Sequence, residues 1–129
     1  PSLIKLYQYE FELAVLNSIE SMYPTLKWKS KVKLLGIILE LTSYFSKKAL
    51  SNDLYNLIAG KGINENVYQV RELSIKCLVE IMIKSQDDAV ELKIITMLEK
   101  MRISQSFQQR TSAIFFILNY VRAKETKKV

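Results

Sequence analysis

The chain of 129 residues has no histidine, one cysteine, two prolines and three glycines. The absence of histidine excludes catalytic triads that use it as a base and zinc sites that need it as a ligand. Cys77 has no partner for an intrachain disulfide, which suits a reducing compartment, and its apolar neighbours favour a buried packing role. Because an all-β fold needs many turns, the scarcity of glycine and proline favours long helices.

Long apolar runs are missing as well. No run reaches the roughly 18 residues that a membrane helix needs, and no signal-peptide pattern opens the chain. Apolar residues make up 49% and charged residues 25%, as in a folded soluble domain, so we expect a cytoplasmic location, with the nucleus also open. The chain begins at Pro1 instead of Met, from which we expect a fragment of a longer protein.

The apolar residues are spaced as in amphipathic helices, and this spacing predicts six helices. The predicted ranges are residues 11–24, 28–45, 49–59, 67–83, 87–101 and 107–122. Pro24 ends the first helix, and Ser51 is the expected N-cap of the third. Gly60 and Gly62 supply the end of the third helix, and Asp87 marks the start of the fifth. The charged tail after residue 122 is expected to fray.

Three segments of the chain align with one another: WKSKVKLLGIILE from Trp28, YQVRELSIKCLVE from Tyr68, and FQQRTSAIFFILN from Phe107. The spacing is 40 and then 39 residues, and each segment has an aromatic residue followed three positions later by a base. The bases are Lys31, Arg71 and Arg110. The apolar positions that coincide are Leu35, Ile75 and Ile114, then Ile38, Leu78 and Ile117, then Leu39, Val79 and Leu118, and each set is expected to build the same core layer.

A period near 40 residues made of two helices is the signature of HEAT and armadillo solenoids, in which stacked helix pairs share one continuous core. The sequence therefore predicts an all-α solenoid of three HEAT repeats with six antiparallel helices. Residues 1–129 would form one domain, with repeats at about 9–46, 47–84 and 87–122. The alternative is a compact six-helix bundle in which the register match is accidental.

Three longer segments, KWKSKVKLLGIILE, LYNLIAGKGINENVYQVRE and IITMLEKMRISQSFQQR, resemble successive C-terminal HEAT repeats of the scaffold subunit of protein phosphatase 2A. The resemblance covers about residues 12–121. It implies a non-catalytic scaffold without a cofactor, which holds the phosphatase catalytic subunit through the turn inside each repeat. Regulatory subunits are a further implied partner. The implied contacts are Trp28 and Lys29 in the first turn, Val67 and Tyr68 in the second, and Phe107 in the third.

The chain also departs from this family. Its third turn is RISQSF where the family has Asp-Pro-Asn and an aromatic residue, Ser30 replaces an aliphatic residue, and the net charge of +6 contrasts with the family's acidic scaffolds. These differences indicate a divergent member or a related phosphatase regulator.

Each aromatic residue that opens a segment has two interpretations, because it could anchor a partner or could pack against its own turn. We favour partner contact for Trp28 and Tyr68, and packing for Phe107. For the bases Lys31 and Arg71, and for their counterpart Arg110, we favour a structural role. They would bond to turn carbonyls or to a carboxylate of the neighbouring repeat, whereas the alternative is a row that meets an acidic partner.

Two other functions stay open at this point. One is an unrelated HEAT-repeat adaptor for transport or assembly that uses its concave face. The other is a HEAT-like enzyme that excises alkylated bases from DNA, for which the net charge of +6 is the only support. The acidic residues lie mostly where helices start, as capping residues do, so we expect no catalysis, and neither nucleic acid nor a membrane is an expected partner.

Overall fold

The computed structural model describes residues 2–128, and this part of the chain is helical with no strand, which confirms the predicted all-α class. A π-helical segment at Ala49–Leu54 leads directly into α3, and short 3₁₀ turns lie at Tyr23–Thr25 and Gly62–Asn64. The six α-helices found in this range are α1 Ser2–Met22, α2 Trp28–Leu41, α3 Tyr55–Gly60, α4 Tyr68–Ser85, α5 Asp88–Arg102 and α6 Phe107–Lys128.

Helices α2, α4 and α6 form an inner row in which α4 packs between the other two. Near the start of α2, the Lys31 ammonium lies 2.8 Å from the Glu65 carboxylate, just before α4 begins. At the opposite ends of the two helices, Lys84 Nζ lies 2.9 Å from Thr42 Oγ1. Helices α2 and α4 therefore run in the same direction.

An outer row is formed by α1, the π-helical segment with α3, and α5. The Tyr9 hydroxyl of α1 donates a hydrogen bond of 3.1 Å to the Asp53 carboxylate in the π-helical segment. The ammonium of Lys93 in α5 lies 5.7 Å from the ring centroid of Tyr55 in α3. The core is continuous across the helices, and its largest fully buried apolar side chains are Tyr23, Leu35, Ile38, Leu50, Leu54, Ile58, Leu78, Ile81 and Ile94.

The connection between α2 and α3 differs from the prediction. Helix α2 ends at Leu41, four residues early, and Ser51 is buried inside the π-helical segment, so its predicted role as an N-cap is wrong. Ser46 takes that role, because its Oγ accepts the amide of Ala49 at 3.2 Å. The carboxylate of the buried Glu12 in α1 accepts the Ser46 amide at 2.6 Å, so a distant residue fixes where this helical segment starts.

The two glycines after Ala59 have different roles. Helix α3 ends at Gly60 as expected, but neither glycine has the left-handed backbone that commonly ends a helix. Gly62 is buried against α4, where a Cβ atom would come within 2.9 Å of Ser74 Cβ and closer still to its hydroxyl. Gly62 is thus required for a close approach, and the left-handed residue is Gln86, which ends α4 with φ of 50°.

The predicted start of α5 is confirmed, whereas the predicted end of α6 needs a correction. Asp87 caps α5 as predicted, because its carboxylate accepts the Ala89 amide at 2.9 Å. Helix α6 continues to Lys128, so its predicted end at residue 122 is six residues too early, while Val129 lies outside the described range. The extension keeps a side-chain bond from Thr126 to the Arg122 carbonyl and places the Lys124 ammonium 5.6 Å from the Tyr120 ring.

The third segment also departs from the predicted core. Its positions Ile114, Ile117 and Leu118 were expected to be buried like their counterparts in α2 and α4, but all three are exposed. The physical reason is that α6 packs on α4 and α5, and no further helix of the described range covers its other side. Nor, within residues 2–128, does any helix combine the length and apolarity that crossing a membrane requires.

Candidate protein-binding surface

Each aromatic residue that opens a repeat segment is the first residue of an inner helix, namely Trp28 in α2, Tyr68 in α4 and Phe107 in α6. Their side chains are 41%, 56% and 74% exposed, respectively. Because the inner helices lie side by side and start at the same edge of the molecule, the three rings follow that edge. We call these three residues the aromatic ridge.

Phe107 is the most exposed residue of the ridge, so the interpretation that it packs against its own turn is wrong. The four residues between α5 and α6 are short or polar apart from Ile103, which is itself exposed, and they offer the ring no apolar cover. Phe107 instead lines the mouth of a cleft towards α4 on one side and faces outward on the other.

The two remaining implied contact residues differ from each other. Lys29 is exposed, and its ammonium lies 5.7 Å from the ring centroid of Trp28, so a positive charge accompanies the first aromatic residue. Val67 precedes α4 in an extended backbone conformation, and its side chain is half-buried against the core. The Lys29 side chain is therefore accessible to a partner, whereas the Val67 side chain packs mainly against the core.

Arg71 and Arg110 hold the turns that carry the ridge. Arg71 Nη1 donates to the carbonyls of Glu65 and Asn66 at 2.9 and 2.7 Å. Arg110 Nη1 donates to the Ser104 carbonyl at 2.7 Å, which is the equivalent bond one repeat later. These are bonds to turn carbonyls of the kind that the structural interpretation of the bases predicts, and they fix the backbone just before Tyr68 and Phe107.

Lys31 makes the other kind of bond predicted for the bases, which is an ion pair with a carboxylate of the neighbouring helix pair. Its ammonium forms the 2.8 Å ion pair with Glu65 and lies 4.8 Å from the ring centroid of the buried Tyr23. Burial raises the pKa of Tyr23, and the negative charge of Glu65 raises it further. Because Glu65 belongs to the turn before α4, this cluster joins the first turn to the second.

A cleft of about 180 Å³ lies between the starts of α4 and α6, and the sequence alone did not reveal it. This volume is below the roughly 300–1,000 Å³ of small-molecule pockets, so the cleft fits one protruding side chain better than a cofactor. No motif marks it, because it depends on how far apart two helices lie. Its lining residues are Tyr68, Arg71, Glu72, Ile75, Phe107, Gln108, Thr111, Ser112 and Phe115.

A second, more open groove of about 580 Å³ crosses α2, α4 and α6 away from the ridge. It carries both signs of charge, and the Lys84 ammonium lies 3.1 Å from the Glu80 carboxylate. Its lining contains no aromatic ring among the described residues, although an enzyme that excises DNA bases would need one to stack on the base. The groove is lined by Leu39, Glu40, Ser43, Lys76, Val79, Glu80, Lys84, Asn119, Arg122, Ala123 and Thr126.

The buried thiol is far from the ridge. Cys77 lies on the side of α4 that faces α2, and its Sγ is 3.7 Å from the Leu35 carbonyl oxygen. Burial raises the pKa of Cys77 to about 12, and the charge of Glu80 adds to the effect. The thiol is therefore protonated at neutral pH and packs as a small apolar group, as its sequence neighbours indicate.

Comparison with known proteins gives no match: no family model, no curated protein and no solved structure is similar to this chain at a significant level.

Proposed function

We propose that this chain is a segment of a HEAT-repeat solenoid and acts as a non-catalytic scaffold for the catalytic subunit of a Ser/Thr protein phosphatase. The aromatic ridge is the contact surface. The repeat assignment is supported by the 39- and 40-residue spacing and by the two rows of helices, in which each inner helix begins with an aligned aromatic residue. The partner is suggested by the resemblance of the three segments to the phosphatase 2A scaffold.

The observation that carries the proposal is the exposure of all three ridge residues at equivalent positions. Large aromatic side chains at the surface are enriched in the residues that dominate protein–protein binding energy. Single exposed apolar residues need no explanation, but a row of three at one edge indicates an interaction surface. The adjacent cleft of about 180 Å³ offers a place where one apolar side chain of the partner could insert.

The basic residues behind the ridge support the same function indirectly. The Lys31–Glu65 ion pair and the Arg71 bonds to turn carbonyls hold the turns in place before any partner arrives. A surface that is already ordered loses less conformational entropy on binding, so more of the contact energy becomes affinity. The bases thus act as positioning residues, and the rings make the contact.

The test is binding of a phosphatase catalytic subunit to the parent chain and to Trp28→Ala, Tyr68→Ala and Phe107→Ala, measured by calorimetry. We expect each substitution to weaken binding by about tenfold or more, because loss of a binding hot spot costs about 2 kcal/mol. Tyr44→Ala is the matched control, since this exposed tyrosine follows the far end of α2 and should not affect binding.

Two results would overturn the proposal: no complex with the parent chain at micromolar concentration, or full affinity in the Trp28→Ala variant. An adaptor that used the open groove would give the opposite pattern. Its binding would fall when Lys76, which lines the groove, is changed to Glu, and it would survive removal of the ridge.

A further inference from the structure

The positive charge of the chain is concentrated at the edge that carries the aromatic ridge. This edge consists of three turns and the helix ends beside them, at residues 20–33, 60–72 and 99–111. The three ranges hold nine basic and four acidic residues, which is a net charge of +5 out of +6 for the whole chain. The other residues are nearly balanced, so a partner at the ridge meets almost all of the excess charge.

The most basic of the three turns precedes α2, at a position where a helix disfavours positive charge. Lys27 comes just before the first residue of α2, Lys29 and Lys33 lie near the start of that helix, and all three side chains are exposed. The start of a helix attracts negative charge, and two lysines four residues apart on one helix repel each other. None of the three forms an ion pair with another described residue. We call these three residues the lysine cluster.

The charges of α5 show that this arrangement is not general in the chain. Helix α5 has Asp88 and Glu91 in its first turn and Lys100 and Arg102 in its last turn, as the helix dipole favours. Helix α2 has no acidic residue in its first turn. The lysine cluster therefore adds no stability through the dipole or through ion pairs, and functional sites are where such departures from local preference are expected.

We propose that the ridge binds an extended acidic segment of the partner, whose carboxylates meet the lysine cluster while one large apolar side chain enters the cleft between α4 and α6. Binding of this kind rests on the proposed function and defines the chemistry of the partner. Charge complementarity supports it, because the segment supplies the negative charge that the start of α2 lacks. The cleft supplies the anchor, since its lining includes Ile75, Phe107 and Phe115 and its volume of about 180 Å³ admits one side chain.

The positions of the cleft and of the lysine cluster determine the spacing within such a segment. Packed helices lie about 8–10 Å apart, so in the row of inner helices α2 is about 12–15 Å from the midpoint between α4 and α6. An extended chain advances about 3.3 Å per residue. The apolar anchor and the acidic residues should therefore be about four or five positions apart.

The test is binding of synthetic peptides to the 129-residue chain, measured by fluorescence anisotropy. The probe has one central Phe, a pair of Glu residues four and five positions away on each side, and Gly and Ser elsewhere. We expect affinity to fall by about tenfold when the Phe is replaced by Ala, and by a similar factor when the four Glu are replaced by Gln. Moving the Glu pairs next to the Phe should also weaken binding, because they would then miss the lysine cluster.

Variants of the chain separate the charge from the anchor. Lys27→Glu combined with Lys33→Glu should reduce affinity for the probe by about tenfold and leave binding of the Gln peptide unchanged. Thr111→Trp, at an exposed position of the cleft, should remove the advantage of Phe over Ala in the peptide. The control combines Lys47→Glu with Lys124→Glu, which changes the net charge equally at exposed positions of the opposite edge and should bind like the parent.

Three results with the peptides would overturn the proposal. One is no binding of the probe to the parent at about 1 mM, the concentration at which even weak complexes form. Another is an equal loss in the control variant. The third is equal binding of an oligothymidylate that carries the same charge, because charge alone would then attract any anion.

Binding of the phosphatase catalytic subunit to the same variants distinguishes this proposal from the proposed function. If the subunit binds the parent and the Lys27→Glu, Lys33→Glu variant equally well, the acidic segment is overturned and the scaffold function remains. If the peptides bind as expected and the subunit does not bind the parent, the acidic segment is supported and the phosphatase is the wrong partner.

Discussion

The two junctions between inner helices are built differently, although the three helices share one sequence pattern. At the junction of α2 with α4, the Lys31–Glu65 ion pair lies at one end and the Lys84–Thr42 hydrogen bond at the other. At the junction of α4 with α6, the corresponding space near the helix starts is a cleft of about 180 Å³. A repeated apolar pattern therefore does not guarantee equal junctions.

The difference can be traced to one position in the turns. Glu65 lies three residues before Tyr68, and the equivalent residue three positions before Phe107 is Ser104. A serine offers no carboxylate to the base of the preceding helix, so Arg71 has no such partner there and binds its own turn carbonyls. Apolar periodicity decides which helices pack, and the polar residues of the turns decide how firmly consecutive pairs are tied together.

The largest effect should come from Gly62→Ala, which targets the turn that carries Glu65. The new Cβ would come within 2.9 Å of Ser74 Cβ, and the Ser74 side chain is fully buried in α4. The turn must then shift away from α4, with a cost of about 2–3 kcal/mol for an overpacked core site. Urea unfolding followed by circular dichroism measures this loss.

Gly60→Ala is the control for that experiment. No atom lies within 4 Å of a Cβ placed at this position, and the residue is the last of α3. Alanine there should be neutral or stabilise the fold by up to about 1 kcal/mol, since it restricts the unfolded chain. Equal destabilisation by both substitutions would contradict the close approach at Gly62.

The second-largest effect should come from loss of the Lys31–Glu65 ion pair. Lys31→Met leaves the half-buried Glu65 carboxylate without its cation, and we expect a loss of about 1–2 kcal/mol, between the values for exposed and fully buried pairs. Arg102→Met breaks the exposed Arg102–Glu99 pair and should cost less than about 0.5 kcal/mol. A double-mutant cycle with Glu65→Gln would isolate the pair energy, and zero coupling would show that the junction does not depend on it.

Alkaline pH should also weaken the junction between α2 and α4, because Cys77 is buried there. Its pKa is near 9 in an unfolded chain and about 12 in the fold, so between these values the unfolded state loses the proton first. The free energy of unfolding is then fully retained below about pH 9 and falls as the pH rises, by on the order of 1 kcal/mol at pH 10. Tyr23, whose pKa is also raised, acts in the same direction at higher pH.

Unfolding of the parent and of Cys77→Ala at pH 8, 9 and 10 tests this account. The alanine variant should lose less stability between pH 8 and pH 10 than the parent does. The second junction contains no ionisable group at the equivalent position, which is occupied by Phe116. If the two chains lost the same amount, the alkaline sensitivity would originate outside Cys77.

The starts of the inner helices were predictable to within one residue, because each is marked by an aromatic residue before an apolar run. The helix ends were not. Helix α2 ends at Leu41 and the next helical segment is capped at Ser46, since Glu12 from another helix binds the Ser46 amide. Such contacts between distant residues leave no local signal, and the π-helical geometry of Ala49–Leu54 leaves none either.

The residues of the candidate surface were predictable from the sequence, but their exposure was not. Alignment of the repeats identified the ridge and the bases, because these depend on position within a repeat. It could not indicate that Phe107 is exposed or that Ile114, Ile117 and Leu118 of α6 are uncovered, since periodicity shows which face of a helix is apolar and not what lies against that face. The cleft beside Phe107 depends on the distance between α4 and α6, which the sequence pattern does not give.

The smallest effect on stability should come from Phe107→Ala, and it separates the second junction from the first most sharply. The ring is mostly exposed at the mouth of the cleft, so its removal should change the free energy of unfolding by less than about 0.5 kcal/mol. Phe116→Ala, in the same helix but with a buried ring stacked 6.4 Å from Tyr120, gives the reference value for a phenylalanine that does pack. A loss for Phe107 that approached this reference would mean that its ring holds α6 against α4, and the ridge would then end at Tyr68.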